Sequence, residues 1–465
     1  MTNFWDYNVW GALNLVAVLL LSLLVGNILK KNISFLQATL IPTSVIGGVL
    51  LIIVASVYKS ITGNVMFDVN YFGGNGTDLL EIITYHSLAL GFIAATFKSG
   101  GGKMSKERTA EIVNTGITTV SSYLLQAVVG LAISIIGAKI IKDFFPAAGT
   151  LLCFGYGQGT GQALNYGGIY ESQFGFVGGK SFGLTIAALG FISAAIGGVI
   201  HMNIFRKRGI IKTKKAEKEV LSEQNIQKRN EIPMQESLDK ITIQTAFILG
   251  AYFLTFILMR ILSRLAPGMK AVIYGFNFLL GVLSAVIIKF VLRQLMLKKI
   301  IRREYISDFL MTRLSNFFYD VMIVAGVAAI RLSYLEKYWG IILIMGIAGA
   351  VVTYIYNRVV AKTLFKGYEQ EQFLVMYGML TGTASTGVIL LREIDPLFQS
   401  PAADNLVYQN FPAIVLGLPI MLLATVAPEK PVMVMFICLA YFLVLAAVLF
   451  RSKWLKLKSN KTKSD

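Results

Sequence analysis

The chain has 465 residues, 55% hydrophobic and 15% charged, with a formal net charge of +18 and a mean hydropathy of +0.66. Long apolar runs separated by short charged stretches exclude an ordinary soluble protein and predict an all-α polytopic membrane protein. The positive charge is not a nucleic-acid signature, because Lys and Arg stand between and after the apolar runs and no basic stripe carries interleaved aromatics.

Residues 1–10 lack the basic segment of a cleavable signal, so the first apolar run, residues 8–29, is expected to remain as a span ended by Lys30-Lys31. Residues 41–58 read as a second span and 68–78 as a polar loop. Residues 82–97 form a third span, followed by Lys98, Lys103, Lys106 and Arg108. A fourth span covers 116–141. Residues 148–165 are a broken segment, 167–179 a glycine-rich loop and 181–205 a full span. Residues 206–240 form the one long hydrophilic stretch, headed by Arg206-Lys207-Arg208. It reads as a cytoplasmic linker, the alternative being a docking site or an anionic-lipid patch. Spans follow at 241–262, 272–292, 315–330 and 340–360, then a second broken segment at 371–391, and spans at 406–426 and 433–450. The tail, 451–465, is basic and cytoplasmic.

With basic loops inward, the N-terminus is external and five spans precede the linker while six follow, about 11 in all. An odd number of crossings puts two related halves in opposite orientations. The expected architecture is therefore two inverted-topology repeats of about five spans each, residues 1–205 and 241–450. Each carries a re-entrant hairpin, and the second adds a C-terminal span.

The relation between the halves rests on a repeated motif. Tyr156-Gly157-Gln158-Gly159-Thr160-Gly161 and Tyr377-Gly378-Met379-Leu380-Thr381-Gly382 share Tyr-Gly-x-x-Thr-Gly about half a chain length apart. Gly155, Gly157, Gly159 and Gly161 break any helix. Broken backbone at membrane depth is tolerated only where it is buried in protein or lines a polar cavity. Half-helix N-termini attract carboxylates, and unwound carbonyls with Thr, Ser and Asn oxygens suit a dehydrated cation such as sodium.

The first tip offers Gln158, Thr160, Gln162 and Asn165; the second offers Thr381, Thr383, Ser385 and Thr386. Thr160 and Thr381 are expected at the two tips as sodium ligands, with Gln162, Thr383 and Ser385 on ion or substrate. The bland alternative is that these small residues only let helices pack closely. Asp320, inside an apolar run, reads as a cation ligand or proton relay, or as a helix-end residue in a polar interface. Arg392 is suited to a substrate carboxylate or to pairing with Glu393.

His86 and His201 read as hydrogen-bonded interfacial histidines without metal-ligand spacing, and Cys153 and Cys438 as small buried hydrophobes. There is no HExxH, P-loop, GxSxG or paired acidic motif, so the sequence does not read as an enzyme and needs no cofactor beyond a co-transported ion.

Two stretches carry a family resemblance. Phe35-Leu36 with Ile41-Pro42-x-x-Val45-Ile46-Gly47-Gly48 resembles the second-span approach of the bacterial glutamate:sodium symporters. Gly157-Gln158-Gly159-Thr160-Gly161-Gln162-Ala163, with Phe174-Gly175-Phe176, resembles that family's first re-entrant loop. The chain departs from that loop at Tyr156-Gly157-Gln158, usually Gly-Gly-His. In the second loop it departs at Ser385, usually proline. The resemblance implies sodium-coupled uptake of L-glutamate or a related carboxylate across the bacterial inner membrane, by a homodimer working through an elevator-like shift. The competing readings are a channel with the hairpins as filter, a carrier for another organic anion, and a membrane scaffold or sensor.

Overall fold

The computed structural model describes residues 3–39, 41–98, 106–211, 230–234, 238–267, 270–275, 277–395 and 399–451. Helix makes up 82% of it, and no strand occurs among the described residues. Most of the linker and of the basic tail lies outside them.

Among the described residues nine helices are long and apolar enough to cross a membrane. Two further expected spans fall short among the described residues. The helix at Asp308–Ala328 carries Arg313, Asn316 and Asp320, which depress its hydropathy, and the apolar part of the helix at Asn410–Val426 runs only over Pro412–Val426.

The helices cluster into two compact units, each drawing on both halves of the chain. The first holds most of α1 (Tyr7–Asn32), then α3 (Thr43–Thr62) and α4 (Gly76–Phe97) from the first half. From the second half it takes α9 (Lys240–Leu265), the short α10 (Lys270–Gly275), α11 (Asn277–Leu297) and α12 (Asp308–Ala328). Its helices approach through glycines, as in lipid, where close van der Waals packing replaces the hydrophobic drive between helices. A Cβ on Gly48 would lie 2.5 Å from Val327, one on Gly91 2.7 Å from the Tyr319 ring, and one on Gly281 2.9 Å from Ile93. Ile93, Ala94, Phe97, Ile248, Ala251, Ala285 and Met311 form its core.

Lys289 Nζ donates to the carbonyls of Thr96 (2.9 Å) and Lys98 (2.8 Å), capping the C-terminal end of α4 where the helix dipole favours a cation. The linker's far end is pinned as well. Lys240 and Glu231 form a buried ion pair at 2.8 Å, and Glu304 accepts from the Ile232 N–H while donating its own to Asn230.

The second unit holds α2 (Ser34–Thr39), α5 (Lys106–Ile140), α6 (Leu151–Gln158), α7 (Thr160–Phe174) and α8 (Gly179–Lys207). The second half adds α13 (Trp339–Leu364), α14 (Glu369–Thr381), α15 (Ala384–Arg392), α16 (Ala402–Tyr408), α17 (Asn410–Val426) and α18 (Pro431–Leu449). The glycine-rich stretch read as a loop over 167–179 is mostly helix, since α7 continues to Phe174. Gly167 serves close packing there: a Cβ on it would lie 2.4 Å from the carbonyl oxygen of Gly179 at the start of α8.

Candidate functional site

Gly159 makes the first break. Its φ of +82° and ψ of −172° fall where essentially only glycine is comfortable, so α6 stops at Gln158 and α7 starts at Thr160. The two helices then run back along each other. Phe154 stacks on Tyr166 with ring centroids 3.8 Å apart, and the hydroxyls of Thr150 and Tyr170 meet at 2.6 Å. Tyr166 and Tyr170 donate to the carbonyls of Met421 (2.9 Å) and Ala424 (2.7 Å) on α17, fixing the outer face of α7.

The second break lies at Gly382-Thr383, between α14 and α15, with Thr383 extended at φ −144°, ψ 171°. Here too the chain doubles back, because a Cβ on Gly378 would come within 2.8 Å of Gly387 Cα. The breaks meet each other. A Cβ on Gly159 would sit 3.2 Å from Thr383 Cγ2 and 3.6 Å from the Gly382 carbonyl oxygen.

Four helix ends therefore converge. The N-termini of α7 and α15 present N–H groups without intrahelical acceptors and partial positive charge; the C-termini of α6 and α14 present carbonyls and partial negative charge. Such a place suits an anionic group beside a desolvated cation.

The side chains add a conspicuous shortage of partners. Thr160 Oγ1, Gln158 Nε2 and both amide atoms of Gln162 are buried without a hydrogen-bond partner, and Thr160 and Gln162 are 0% and 1% exposed. Each such group costs about 1–3 kcal/mol if left unmatched. The second break is instead satisfied from within. Thr381 Oγ1 donates to the Tyr377 carbonyl at 2.6 Å, and the hydroxyls of Thr383 and Thr386 lie 3.4 Å apart.

The motif tyrosines brace both breaks against one turn of α8. Tyr156 donates to the Gly346 carbonyl on α13 (2.6 Å) and lies 2.9 Å from Ser193 Oγ, while Tyr377 donates to the Ser193 carbonyl at 3.2 Å. Gly157 and Gly190 serve close approach: a Cβ on Gly157 would lie 2.4 Å from the Tyr123 ring, and one on Gly190 2.2 Å from the Thr381 carbonyl oxygen. Gly161, Gly378 and Gly382 are buried with them.

Asn165 is half-buried on α7, and Arg392 is exposed at the far end of α15. Asp320 is exposed on α12 and belongs to the first unit, whereas both breaks belong to the second. The side chain of Ser385 lies outside the described residues. Among the described residues no group of three or more His, Cys, Asp or Glu is placed to hold a metal. Neutral oxygens are what the breaks offer.

Sequence reasoning passed over the polar face of α5. Thr115, Thr119, Ser122 and Gln126 are buried and recur at helical spacing within a span. Thr119 donates to Gln409 Oε1 (2.8 Å), Asn357 Nδ2 to Ser122 Oγ (3.3 Å), and Gln126 Nε2 to Thr353 Oγ1 (2.8 Å). At the end of this ladder Tyr368, between α13 and α14, accepts from Asn405 Nδ2 at 3.2 Å; burial pushes its phenol up to about 12 and keeps it protonated. The 115–119–122–126 spacing was the available signal.

A helical membrane protein whose buried polar groups gather where two broken helices meet has the architecture by which membrane carriers bind solutes and ions. The chain belongs to the sodium/glutamate symporter family, whose model matches residues 9–386. Membership makes it a transporter rather than an enzyme, with sodium as the co-transported ion. No curated protein matches the chain.

Proposed function

We infer that the protein couples sodium entry to the uptake of L-glutamate or a related small carboxylate by alternating access, with an elevator-like shift carrying the site across the membrane. The observation that carries this reading is the meeting of the two breaks around unpaired Thr160 and Gln162. The N-termini of α7 and α15 receive the substrate carboxylate. The carbonyl ends of α6 and α14, with Thr160 and Thr381, hold sodium. Gln158, Gln162, Thr383, Ser385 and Thr386 complete the site.

In this reading α6–α7 and α14–α15 are re-entrant hairpins of two inverted repeats, residues 1–205 and 241–450, joined by the cytoplasmic linker and making about 11 crossings. The protein works as a homodimer in the bacterial inner membrane. Coupling is energetically adequate, since each positive charge moved inward gains about 2.3 kcal/mol per 100 mV before any sodium gradient.

Purified protein in liposomes should accumulate labelled L-glutamate above equilibrium only with an inward sodium gradient. Gradient collapse without accumulation would make it a channel. Uptake of another carboxylate in place of glutamate would keep the carrier and change the substrate, and absence of both uptake and sodium binding would refute the reading.

A further inference from the structure

We propose that Gln126 on α5 is a binding residue of the carrier site, its side-chain oxygen receiving a positively charged group: the sodium ion or the ammonium of an amino-acid substrate. The proposal rests on the reading above and deepens it, because it assigns a position that neither copy of the repeated motif contains.

Gln126 is 0% exposed and touches both breaks. Its Nε2 donates to the Leu380 carbonyl, one residue before Thr381-Gly382, and to Thr353 Oγ1, each at 2.8 Å. The Leu380 carbonyl can only accept, so it fixes which end of the amide is nitrogen. The other end, Oε1, faces the first break: a Cβ on Gly157 would lie 3.1 Å from it. That oxygen has no hydrogen-bond partner. With both donors used and the amide unable to turn over, Gln126 can offer a ligand nothing but an acceptor. A carboxylate is thereby refused at this position, and a cation or an N–H donor is welcomed. The carboxylate goes to the helix N-termini and the positive charge to Gln126, so the site sorts the two ends of a zwitterion.

Two substitutions separate the oxygen from the donor. Gln126→Met keeps the length and removes both; Gln126→Glu keeps an oxygen and removes the donor. Three quantities are read in reconstituted protein: the half-saturating sodium concentration, the KM for glutamate, and the thermal stabilisation by sodium chloride against choline chloride without substrate.

Gln126→Met should weaken sodium or glutamate affinity by about tenfold or more, the scale of a hydrogen bond to a charged group, and Gln126→Glu should bind as tightly as wild type or more tightly. Loss of the sodium-only stabilisation assigns the oxygen to sodium. A shift confined to the glutamate KM, absent for the ammonium-free dicarboxylate glutarate, assigns it to the substrate ammonium. Wild-type constants in Gln126→Met would overturn the proposal. So would equal weakening in both variants, which would leave the Leu380 bond as the residue's only role. If Gln126→Met does not fold, Gln126→Glu decides alone, since its carboxylate must hold or tighten the affinity. Wild-type protein that takes up no glutamate but is still stabilised by sodium would change the substrate and not the carrier reading, and the sodium-only comparison would still judge Gln126.

Discussion

The two breaks share a motif and differ in how they settle their polar groups. At Gly159 the turn needs a left-handed glycine, and the side chains around it, Gln158, Thr160 and Gln162, are buried with unmatched atoms. At Gly382-Thr383 the turn is extended, and Thr381 spends its hydroxyl on the Tyr377 carbonyl. Similar sequence therefore yields unequal chemistry. The first break leaves side-chain atoms unmatched, while the second satisfies the Thr381 hydroxyl from within its own helix. A symmetric filter would have used both copies alike.

Substitution at the turns tests that asymmetry most severely. Gly159→Ala places a Cβ 3.2 Å from Thr383 Cγ2 on a backbone that non-glycine residues adopt only with strain of about 1–3 kcal/mol. Uptake should fall below detection while the protein still inserts, and near-normal uptake would remove the requirement for this turn.

Thr160→Ala comes next. It should weaken sodium-dependent uptake by roughly tenfold or more, yet leave the ligand-free melting temperature unchanged or raised, because the lost hydroxyl has no partner in the fold. Thr381→Ala should show the reverse balance: a stability loss of about 1 kcal/mol with a smaller change in sodium affinity. Paired melting curves and sodium titrations of these two variants would erase the distinction if they moved together.

Tyr377→Phe should cost about 0.5–1.5 kcal/mol through its bond to the Ser193 carbonyl, visible in the melting temperature alone. The smallest effect is expected from Asp320→Asn. That carboxylate stands exposed on α12, so the half-saturating sodium concentration should not move; a marked shift would make it an ion ligand.

What was legible in the amino-acid order was local. Glycine spacing marks both breaks, and apolar length marks most spans, because each depends only on neighbouring residues. The polar face of α5 was equally local but was overshadowed by the hydropathy of its span; the 115–119–122–126 period announces a buried polar ladder. Gly167 was misread for the opposite reason. Its role is a contact with Gly179, and a glycine chosen for close packing looks the same in one dimension as a glycine chosen for a loop. The division into two units lay beyond sequence pattern, since it depends on which helices from distant parts of the chain choose each other. Asp320 shows the same limit: a carboxylate in an apolar run suggests a site, and the amino-acid order does not say which unit its helix joins.

The bonds from Tyr166 and Tyr170 to Met421 and Ala424 have a consequence for how the protein is made. The partners are 255 and 254 residues apart, so the first broken helix emerges long before the helix that closes over it. At about 5–20 residues per second, that delay lasts roughly 13–50 s on the ribosome. Throughout it, two tyrosine hydroxyls and an unsealed glycine-rich turn wait within reach of lipid. A chain released at the linker would hold the first motif and lack the means to finish it. Synthesis of the second half is thus the maturation step of the first, and supplying residues 241–465 as a separate chain is the direct way to watch it happen.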